Sequence, residues 1–362
     1  MKKILIFHPY LAPYRMDLYN RLAEKYNVFV LLTASDTEKA TLGFDLNQTN
    51  SMARFAYKYA IKGIYIGRHL FSMVYFNCIR SFKPDIVFAH ELGFNTIISI
   101  FLKLFFRYKI FVTVDDSPAM IKTYGFKRRL LQRFVYRNVD FVLVVHPEVK
   151  KYLQNKYAKF LNKFIYFPII QDDRILSEKL ANANSLVRLD TKRYVTVYSN
   201  IILFVGRLET VKNPLLLLES FARLNDPSLL LVFVGGGSLL LQLKELAKTL
   251  KVESNVLFTG RLSGSDLYMW YNLSDIFVLP SKFEPFGAVV NEALVAGCNV
   301  LVSDQVGASC LIDSSNGIVF PLSNEDHLFL QLKEMLRLSK AEKKNKMIIS
   351  FDDLFNLLVE YL

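Results

Sequence analysis

The chain has 362 residues, 52% of them hydrophobic, and its formal net charge at pH 7 is +12. This length exceeds what one hydrophobic core normally serves, so we expect two domains, and no apolar run reaches the ~18 uninterrupted residues of a membrane-spanning helix. Three cysteines without the spacing of a metal site predict reduced thiols in a cytoplasmic chain.

Short apolar runs alternate with helical patterns along the first half of the chain. The predicted strands are Ile4–His8, Val28–Thr33, Ile86–Ala89, Ile110–Val114 and Phe141–Val145. Runs that are apolar on both faces are typical of a parallel sheet covered by helices. We therefore predict an α/β fold whose first domain, residues 1–172, is Rossmann-like and doubly wound.

A second set of strands follows a polar stretch. Its members are Ile201–Val205, Leu229–Val234, Val256–Thr259, Ile276–Leu279 and Val300–Ser303. We predict a linker over residues 173–198 and a second doubly wound domain over residues 199–345. Ligands of such sheets bind beyond the carboxyl ends of the strands, so residues at strand ends are the first candidates for a site.

Two carboxylates flank the start of a predicted helix in the segment SKFEPFGAVVNEALVAGCNV. Glu284 falls in the loop after a strand, and Glu292 falls inside the predicted helix Ala288–Ala296. Eight helical residues span roughly 12 Å, about the distance from the sugar to the ribose of a nucleotide-sugar. The N–H groups at the helix start could bind its pyrophosphate. For such a pair in isolation, the alternative is two solvated carboxylates.

Two cations follow the strand Ile201–Val205. Arg207 stands directly after Gly206 at the strand end, and Lys212 precedes a helix that we expect Asn213 to cap and Pro214 to begin. A glycine at this point permits close approach of a ligand to the backbone. The two cations could bracket a diphosphate, and ordinary surface charges are the alternative.

Taken in chain order, these segments resemble the retaining glycosyltransferases of the GT-B fold, family 4 (glycosyl transferases group 1), over roughly Ile202–Pro321. The segments that carry the resemblance are FVGRLETVKNPLLLLESFARL, NVLFTGRLSGSDLYMWYNLSDIFVLPS, EPFGAVVNEALVAGCNVLVSD and SSNGIVFP. The resemblance implies two Rossmann-like domains that face each other across a cleft, with a C-terminal helix at 346–362 packing back on the first domain. It also implies a hexosyltransferase (EC 2.4) that uses a nucleotide-diphospho-sugar and retains the anomeric configuration.

The resemblance assigns roles to individual residues. Arg207 and Lys212 would hold the diphosphate, Glu284 would act in catalysis by accepting hydrogen bonds from the donor sugar, and Glu292 would hold the ribose diol. The whole implied donor-binding set comprises Gly206, Arg207, Lys212, Gly260, Phe286, Gly287, Ala288, Val289 and Glu292. Fixed cations and backbone N–H groups stabilise a diphosphate leaving group, so we expect no metal and no cofactor; the chain has no D-x-D triplet.

The first half resembles the family less closely. Its strand Ile86–Ala89 ends at His90, which by resemblance would lie beside the reacting centre as a second catalytic residue; a histidine bonded to backbone is the alternative. The segment APYR, which resembles a subset of the family found in capsule and exopolysaccharide synthesis, places Arg15 where it could contact phosphate or acceptor. Asp116 ends another strand and is a candidate acceptor-binding carboxylate, or else a residue that caps a turn.

Charge is concentrated in the first half. Residues 1–180 contain 28 Lys and Arg against 14 Asp and Glu, whereas residues 181–362 contain 17 against 19. The densest segment is KTYGFKRRLLQRFVYR, residues 122–137, in which we expect one apolar and one basic face. The apolar face would comprise Leu130, Leu131, Phe134 and Val135, and the basic flank Arg128, Arg129, Arg133 and Arg137. This pattern suits an anionic membrane surface or, alternatively, ordinary packing on a sheet. No motif for nucleic-acid binding is present.

The sequence thus predicts a cytoplasmic glycosyltransferase, peripheral on the inner face of the cell membrane. It would transfer a sugar to a hydroxyl of a lipid-linked or other saccharide, in capsule, exopolysaccharide or lipopolysaccharide synthesis. Two alternatives stay open. One is a sugar-nucleotide 2-epimerase of the same fold, and the other is a non-catalytic GT-B-like subunit of a transferase complex.

Overall fold

The structure is a computed structural model that describes residues 1–34, 46–60, 63–66, 69–185, 196–324, 326–338 and 343–362. The chain divides into two compact units. The first unit comprises Met1–Gln171 together with Leu354–Leu362, and the second comprises Asp172–Asp353. The predicted linker, 173–198, lies partly outside the described residues, and its described part begins with a helix of the second unit, Asp173–Ser185.

The first unit is built on a parallel sheet of seven strands in the order β3-β2-β1-β6-β7-β8-β9. These strands are β1 (Lys3–His8), β2 (Asn27–Leu32), β3 (Ala56–Tyr59), β6 (Ile86–His90), β7 (Lys109–Val114), β8 (Phe141–Val144) and β9 (Phe164–Tyr166). A separate antiparallel pair is formed by β4 (Ile64–Ile66) and β5 (His69–Phe71). The strand order reverses between β1 and β6, which pair in parallel with Ile6 opposite Phe88.

Helices connect the strands of the first unit. They are α1 (Pro13–Lys25), α2 (Leu46–Ser51), α3 (Val74–Phe82), α4 (Phe94–Phe106), α5 (Pro118–Lys122), α6 (Phe126–Asn138) and α7 (Pro147–Lys156), with a 3₁₀ segment at Ala158–Lys163. Residues on both faces of the central strands are buried, and Ile4, Leu5, Ile110 and Phe111 have no exposed surface. Such strands can exist only with apolar cover on both sides, which explains their continuous apolar sequence.

The second unit repeats this plan with a parallel sheet of six strands, in the order β12-β11-β10-β13-β14-β15. The strands are β10 (Asn200–Val205), β11 (Leu229–Val234), β12 (Val256–Gly260), β13 (Ile276–Leu279), β14 (Asn299–Ser303) and β15 (Gly317–Phe320). The helices are α8 (Asp173–Ser185), α9 (Pro214–Leu224), α10 (Leu240–Thr249), α11 (Gly264–Leu273), α12 (Val289–Val295) and α13 (Asp326–Leu338). Here the order reverses between β10 and β13.

One further helix, α14 (Phe351–Tyr361), begins in the second unit and ends in the first. Its last turns are anchored on the first unit. The ring of Tyr361 lies 5.0 Å from that of Phe141, and Lys2 donates to the carbonyl oxygen of Leu362 at 2.8 Å. Phe355 is buried beneath the cation of Arg21, whose guanidinium lies 5.7 Å from the ring centroid.

The predicted fold class, with two Rossmann-like units built on parallel sheets, is confirmed. Each predicted strand is present, with bounds that differ by one residue at most at either end. Three strands of the two large sheets were not predicted. They are β3, β9 and β15, each of three or four residues at an outer edge of its sheet. Runs this short carry too little periodicity to be distinguished from loops.

Candidate functional site

The second unit brings together the two sequence segments that contain the predicted donor-binding residues. Strand β10 pairs in parallel with β13, with Ile202 opposite Ile276, so the loops after the two strands leave the same edge of the sheet as neighbours. This edge lies where the strand order reverses, and loops that diverge at such a point leave a crevice between them. Gly206 and Arg207 begin one loop, and Glu284 lies on the other.

Lys212 and Glu284 form an ion pair across these loops, through the lysine Nζ and the carboxylate Oε2. Both side chains are largely buried. Burial, and then the neighbouring charge of Arg207, lower the pKa of Lys212 to about 8. The contacting Glu284 carboxylate acts in the opposite direction, because a nearby negative charge stabilises the ammonium. The amide of Lys282 also donates to the carbonyl oxygen of Val211 at 2.8 Å. Thus the backbone as well as the side chains joins the two loops.

A glycine turn supports the loop that contains Arg207. Gly235 and Gly237 follow β11 and pack so closely on this loop that a Cβ on either would collide with a carbonyl oxygen, that of Gly206 or that of Leu208. The amide of Leu208 donates to the carbonyl oxygen of Gly236 at 3.0 Å. The turn therefore fixes the backbone from which the exposed Arg207 side chain extends.

The Glu284 loop is held on its other side by the segment after β14. Glu284 forms a parallel bridge with Val306, and its carbonyl oxygen accepts from the amide of Gly307 at 3.0 Å. Gly287 has a φ of +96°, a conformation that side chains rarely adopt. A Cβ at this position would lie 3.1 Å from Cγ of Glu284. The glycine therefore gives the chain room to turn beside the carboxylate and enter α12.

The start of α12 presents backbone N–H groups. The helix begins at Val289, and the amides of Val290 and Asn291 donate back to the carbonyl oxygens of Gly287 and Ala288 at 3.0 and 3.1 Å. Within the part of the chain that the structure describes, the amides of the four preceding residues donate no backbone hydrogen bond; these residues are Phe286, Gly287, Ala288 and Val289. These amides are the ones that the sequence predicts to bind donor.

Glu292 is the fourth of the seven residues of α12, and its Oε2 accepts a hydrogen bond of 2.8 Å from the hydroxyl of Tyr271. Tyr271 is a fully buried residue of α11, so its hydrogen bond fixes the position of one carboxylate oxygen of Glu292. The sequence analysis did not identify this tyrosine. A fixed carboxylate on a helix face can accept two hydrogen bonds from a diol, which is the predicted role of Glu292.

Gly260 ends β12 with a φ of +76° and open space around its Cα, and its carbonyl oxygen accepts from the amide of Gly235 at 2.8 Å. Asn213 precedes α9, and Pro214 is the first helical residue as predicted. The predicted cap is wrong, because Asn213 adopts the left-handed conformation and its side chain makes no capping bond.

The first unit places its polar residues at the corresponding edge of its own sheet. His8 ends β1 and His90 ends β6, on either side of the reversal in strand order, and their ring centroids are 4.5 Å apart. Nδ1 of His90 lies 3.2 Å from the hydroxyl oxygen of Thr113 on β7. Burial lowers the pKa of His90 to about 4, so the ring is neutral near pH 7 and can exchange hydrogen bonds there.

Arg15 is buried near the start of α1, and its guanidinium pairs with Oδ1 of Asp115 at 2.7 Å. Asp116, the next residue, is completely buried and accepts hydrogen bonds from the hydroxyl of Tyr124 and, at 3.1 Å, from the guanidinium of Arg128. Its second oxygen, Oδ2, has no partner among the described atoms. Arg15 and Asp116 thus have charged partners, Asp115 and Arg128, with which the sequence analysis did not predict contact.

Glu91 is the functional candidate that the sequence analysis missed in this unit. It follows His90 directly and has a φ of +57°, which is unusual for a side chain of this kind. Oε1 accepts from the amide of Asp115 at 3.1 Å, and Oε2 lies 3.4 Å from the guanidinium of Arg128. Burial, together with the carboxylates of Asp115 and Asp116, raises the pKa of Glu91 to about 7. The sequence contained a signal for this candidate, because Glu91 directly follows His90 at the end of a predicted strand.

The second unit contains a segment that is similar to a known protein family. Residues 194–350 match the family of glycosyl transferases group 1, and this segment contains Arg207, Lys212, Glu284 and Glu292. A curated relative from Campylobacter jejuni, N-acetylgalactosamine-N,N'-diacetylbacillosaminyl-diphospho-undecaprenol 4-alpha-N-acetylgalactosaminyltransferase, is 32% identical over 54% of this chain and 60% of its own length. The sulfoquinovosyl transferase SQD2 of Arabidopsis thaliana is 25% identical over 71% of this chain and 51% of its own length. The chain thus spans little more than half the length of these relatives.

Solved structures resemble the whole chain. Anabaena Alr3699/HepE, crystallised with UDP, matches with a TM-score of 0.74 over 100% of this chain and 99% of its own, at 15% identity. At this identity the likeness shows the fold, which is that of the GT-B glycosyltransferases. Of the helices that the structure describes, none is both long enough and apolar enough to span a bilayer. Over the same residues, no group of three or more His, Cys, Asp and Glu side chains is arranged to hold a metal ion.

Proposed function

We propose that this protein is a glycosyltransferase that moves a sugar from a nucleotide-diphospho-sugar to a hydroxyl of a saccharide acceptor. The observation that carries the proposal is the constellation on the second unit's sheet edge. There the paired Lys212 and Glu284, the exposed Arg207 and the amides of 286–289 surround the point at which the strand order reverses. This combination of cations, N–H groups and a carboxylate suits a ligand with both phosphates and hydroxyls.

We assign residues to the parts of the donor by their charge and by their ability to bind hydroxyl groups. Arg207 and Lys212 bind the diphosphate, and the amides of 286–289 bind its oxygens and the sugar. Glu284 accepts hydrogen bonds from the transferred sugar, and Glu292, fixed by Tyr271 at 2.8 Å, holds the ribose diol. The match of residues 194–350 to glycosyl transferases group 1 and the UDP in the Anabaena structure support this assignment.

We propose transfer with retention by front-face attack. The bond between the anomeric carbon and the diphosphate oxygen breaks, and the acceptor oxygen forms the new bond on the same face. The acceptor proton passes to the departing phosphate oxygen. Negative charge develops on the diphosphate during this step, where Arg207 and Lys212 stabilise it without a metal. His90, neutral because burial lowers its pKa to about 4, positions hydroxyl groups of the reacting sugar.

For the acceptor we propose a lipid-linked saccharide in the synthesis of a capsule, an exopolysaccharide or lipopolysaccharide. The C. jejuni relative, whose name specifies a diphospho-undecaprenol acceptor, supports a lipid-linked acceptor. The buried Arg15 and Asp116 would act on the acceptor through their more exposed partners, since Arg15 holds Asp115 and Asp116 holds Arg128. These residues offer both signs of charge within one cluster. The protein would work as a peripheral protein on the inner face of the cell membrane.

The experiment that tests the proposal is a thermal-shift screen with UDP, GDP and their sugars, followed by a transfer assay. A ligand of the native state raises the Tm in proportion to the logarithm of its concentration over Kd, so a donor reveals itself by a concentration-dependent shift. Absence of a shift with any nucleotide would overturn the donor site. Conversion of the donor to an epimer without an acceptor would favour the 2-epimerase. Binding without turnover on any acceptor extract would favour the non-catalytic subunit.

A further inference from the structure

Helix α6 has its apolar residues on the outside. Phe126, Leu130 and Phe134 recur every four residues and therefore share one face, and Phe126 is 79% exposed and Leu130 59% exposed. The opposite face is packed against the first unit, and it includes Arg128, Gln132 and Tyr136, of which Gln132 is only 1% exposed. A surface helix normally buries its apolar stripe and exposes its polar one. Here the arrangement is reversed for Phe126, Leu130 and Phe134, which are exposed, and for Gln132, which is buried.

The inward face of α6 is occupied by polar groups that are only partly satisfied. Arg128 pairs with the buried Asp116 at 3.1 Å and stacks 4.1 Å from the ring of Tyr124. Nε of Arg128, Nε2 of Gln132 and the hydroxyl of Tyr136 are buried without a partner among the described atoms. The apolar part of the inward face is limited to Leu131, Val135 and the ring of Tyr136, which belong to the core of the first unit. The predicted apolar face is split, because Leu131 and Val135 pack inward while Leu130 and Phe134 face solvent.

The exposed apolar residues continue onto the neighbouring helix, α4. Its last turns expose Phe101, Leu104 and Phe105, the last two by 78% and 77%. The rings of Phe101 and Phe134 have centroids 6.3 Å apart, so the exposed residues of the two helices form one surface. We call this surface, comprising Phe101, Leu104, Phe105, Phe126, Leu130 and Phe134, the α4/α6 surface. An apolar area of this extent on a folded protein marks an interaction site.

Cations outnumber carboxylates beside the apolar residues, where Asp140 pairs with Lys103 of α4 at 2.6 Å. Arg129, Arg133 and Arg137 are exposed along α6, and they line an open groove of about 750 Å³ together with Lys156 and Lys159. The sequences of α4, α6 and the segment 158–163 contain no Asp or Glu. Among the residues that the structure describes, none of these three arginines forms a salt bridge. The charges are therefore available to an anionic partner.

We propose that the α4/α6 surface docks on an anionic lipid bilayer. Large apolar side chains inserted at the level of the head groups, with arginines and lysines beside them, form the pattern by which peripheral proteins bind anionic membranes. The phosphate of a lipid head group would enter the groove lined by Arg129, Arg133 and Arg137. This docking deepens the proposed function and rests on it in one respect: a lipid-linked acceptor resides in the same bilayer.

The test is cosedimentation with vesicles, measured for the full chain and for a Glu284→Ala variant that has lost transfer. We expect both proteins to bind vesicles of phosphatidylglycerol and phosphatidylethanolamine at least tenfold more tightly than vesicles of phosphatidylcholine. Binding should weaken at 0.5 M salt, because the Debye length falls to a few ångströms. Retention of binding in Glu284→Ala separates docking from catalysis.

Two sets of variants locate the surface. Arg129→Gln, Arg133→Gln and Arg137→Gln combined should reduce binding to anionic vesicles about tenfold or more, and Leu104→Ser with Leu130→Ser should reduce binding to every vesicle. The matched controls are Leu241→Ser, an exposed leucine of α10, and Lys244→Gln with Lys248→Gln on the same helix. The controls should leave binding unchanged. Each variant is checked for an unaltered Tm, since all the substituted side chains are exposed.

The outcomes distinguish this docking from the proposed function. Failure of the wild-type chain to bind vesicles, while it still transfers sugar to a soluble acceptor, would overturn the docking alone. Vesicle binding without any nucleotide-induced thermal shift would overturn the donor site alone. A self-association in ultracentrifugation that Leu104→Ser abolishes, without vesicle binding, would assign the surface to a second copy of the chain and also overturn the docking.

Discussion

Lys212 and Glu284 are 72 positions apart in sequence, yet their side chains form an ion pair in the loops that follow β10 and β13. The pair joins a residue that is predicted to bind phosphate, Lys212, to a residue that is predicted to bind the sugar, Glu284, before any donor is bound. Each charge is thus held in place by the other, and little rearrangement is needed to receive a substrate that has phosphate on one side and hydroxyls on the other. Preorganisation of this kind is the main source of electrostatic catalysis.

Removal of the Glu284 carboxylate should abolish most of the activity. We expect Glu284→Ala to lower kcat about 100-fold or more, in the range for loss of one preorganised electrostatic contact. Glu284→Gln keeps the shape of the side chain but not its charge, so it separates the two contributions. The measurement is initial-rate kinetics, with the Tm as the control for folding. Turnover within a few-fold of wild type in Glu284→Ala would exclude the assigned role.

The two cations should determine the affinity for the diphosphate. Arg207→Ala and Lys212→Ala should each weaken UDP or GDP binding, whichever is the ligand, by about 10- to 150-fold, because a hydrogen bond to a charged group contributes about 1.5–3 kcal/mol. Isothermal titration measures the effect. Lys248→Ala, an exposed lysine in the same unit, is the matched control and should bind normally. The corresponding nucleoside, which has no phosphate, should bind equally to all of these proteins.

Donor affinity should fall as the pH rises above neutrality. Because the pKa of Lys212 is lowered to about 8, its ammonium is largely present at pH 7 and largely lost at pH 9. Nucleotide affinity should therefore decline through pH 8 in the wild type, and Lys212→Arg, whose charge persists, should remove that decline. Affinities from pH 6.5 to 9.5 provide the test. An identical pH profile in the two proteins would show that Lys212 is not the titrating group.

The Glu292 carboxylate should make the protein bind a ribonucleotide more tightly than the corresponding 2′-deoxynucleotide. In the wild type, a 2′-deoxy nucleotide should bind about tenfold more weakly than its ribose counterpart, because it lacks one hydrogen bond to a charged acceptor. In Glu292→Ala the two nucleotides should bind alike. Tyr271→Phe, which removes the 2.8 Å bond that fixes Oε2, should give an intermediate ratio. Equal ratios in the wild type and Glu292→Ala would exclude contact with the 2′-hydroxyl.

Neighbouring arginines of α6 should differ sharply in their effect on stability. Arg128→Met leaves Asp116 buried without its cation and should lower the free energy of unfolding by about 2 kcal/mol, less than for a fully buried pair because the guanidinium is partly exposed. Arg129→Met removes an exposed charge and should change it by less than about 0.5 kcal/mol. Urea unfolding measures both, and equal effects would contradict the inward orientation of Arg128.

The sequence predicted the second unit's site better than the first's. Arg207 and Lys212 lie in the loop after β10, and Glu284 lies in the loop after β13. The apolar runs of these two buried strands reveal their bounds, and the order of strands in the sheet determines which loops meet. The contact between Lys212 and Glu284 itself was not predicted, since it depends on the return of the chain from 305–308 against 284–286. No local pattern in the sequence encodes that return.

In the first unit, the sequence showed which types of residue are present but not which face they occupy. For helix α6 the sequence left open an anionic membrane surface or packing of the apolar face on a sheet. The structure turns Arg128 inward, where Asp116 and Tyr124 contact it, and buries Gln132 beside it. Periodicity predicts orientation only when the core is apolar. Where buried charges replace it, as at Glu91 and Asp116, a pattern of apolar residues gives the wrong face.

The placement of Leu354–Leu362 in the first unit has a consequence for biosynthesis. A domain whose residues are contiguous can fold as soon as it leaves the ribosome, usually from the N-terminus onward. Here the segment with Phe355 and Tyr361, which packs on β8 and α1, is translated some 180 residues after Gln171. The first unit therefore becomes complete only after the whole second unit has been synthesised. A chain that ends before Leu354 should lose stability in the first unit, although residues 1–171 are all present.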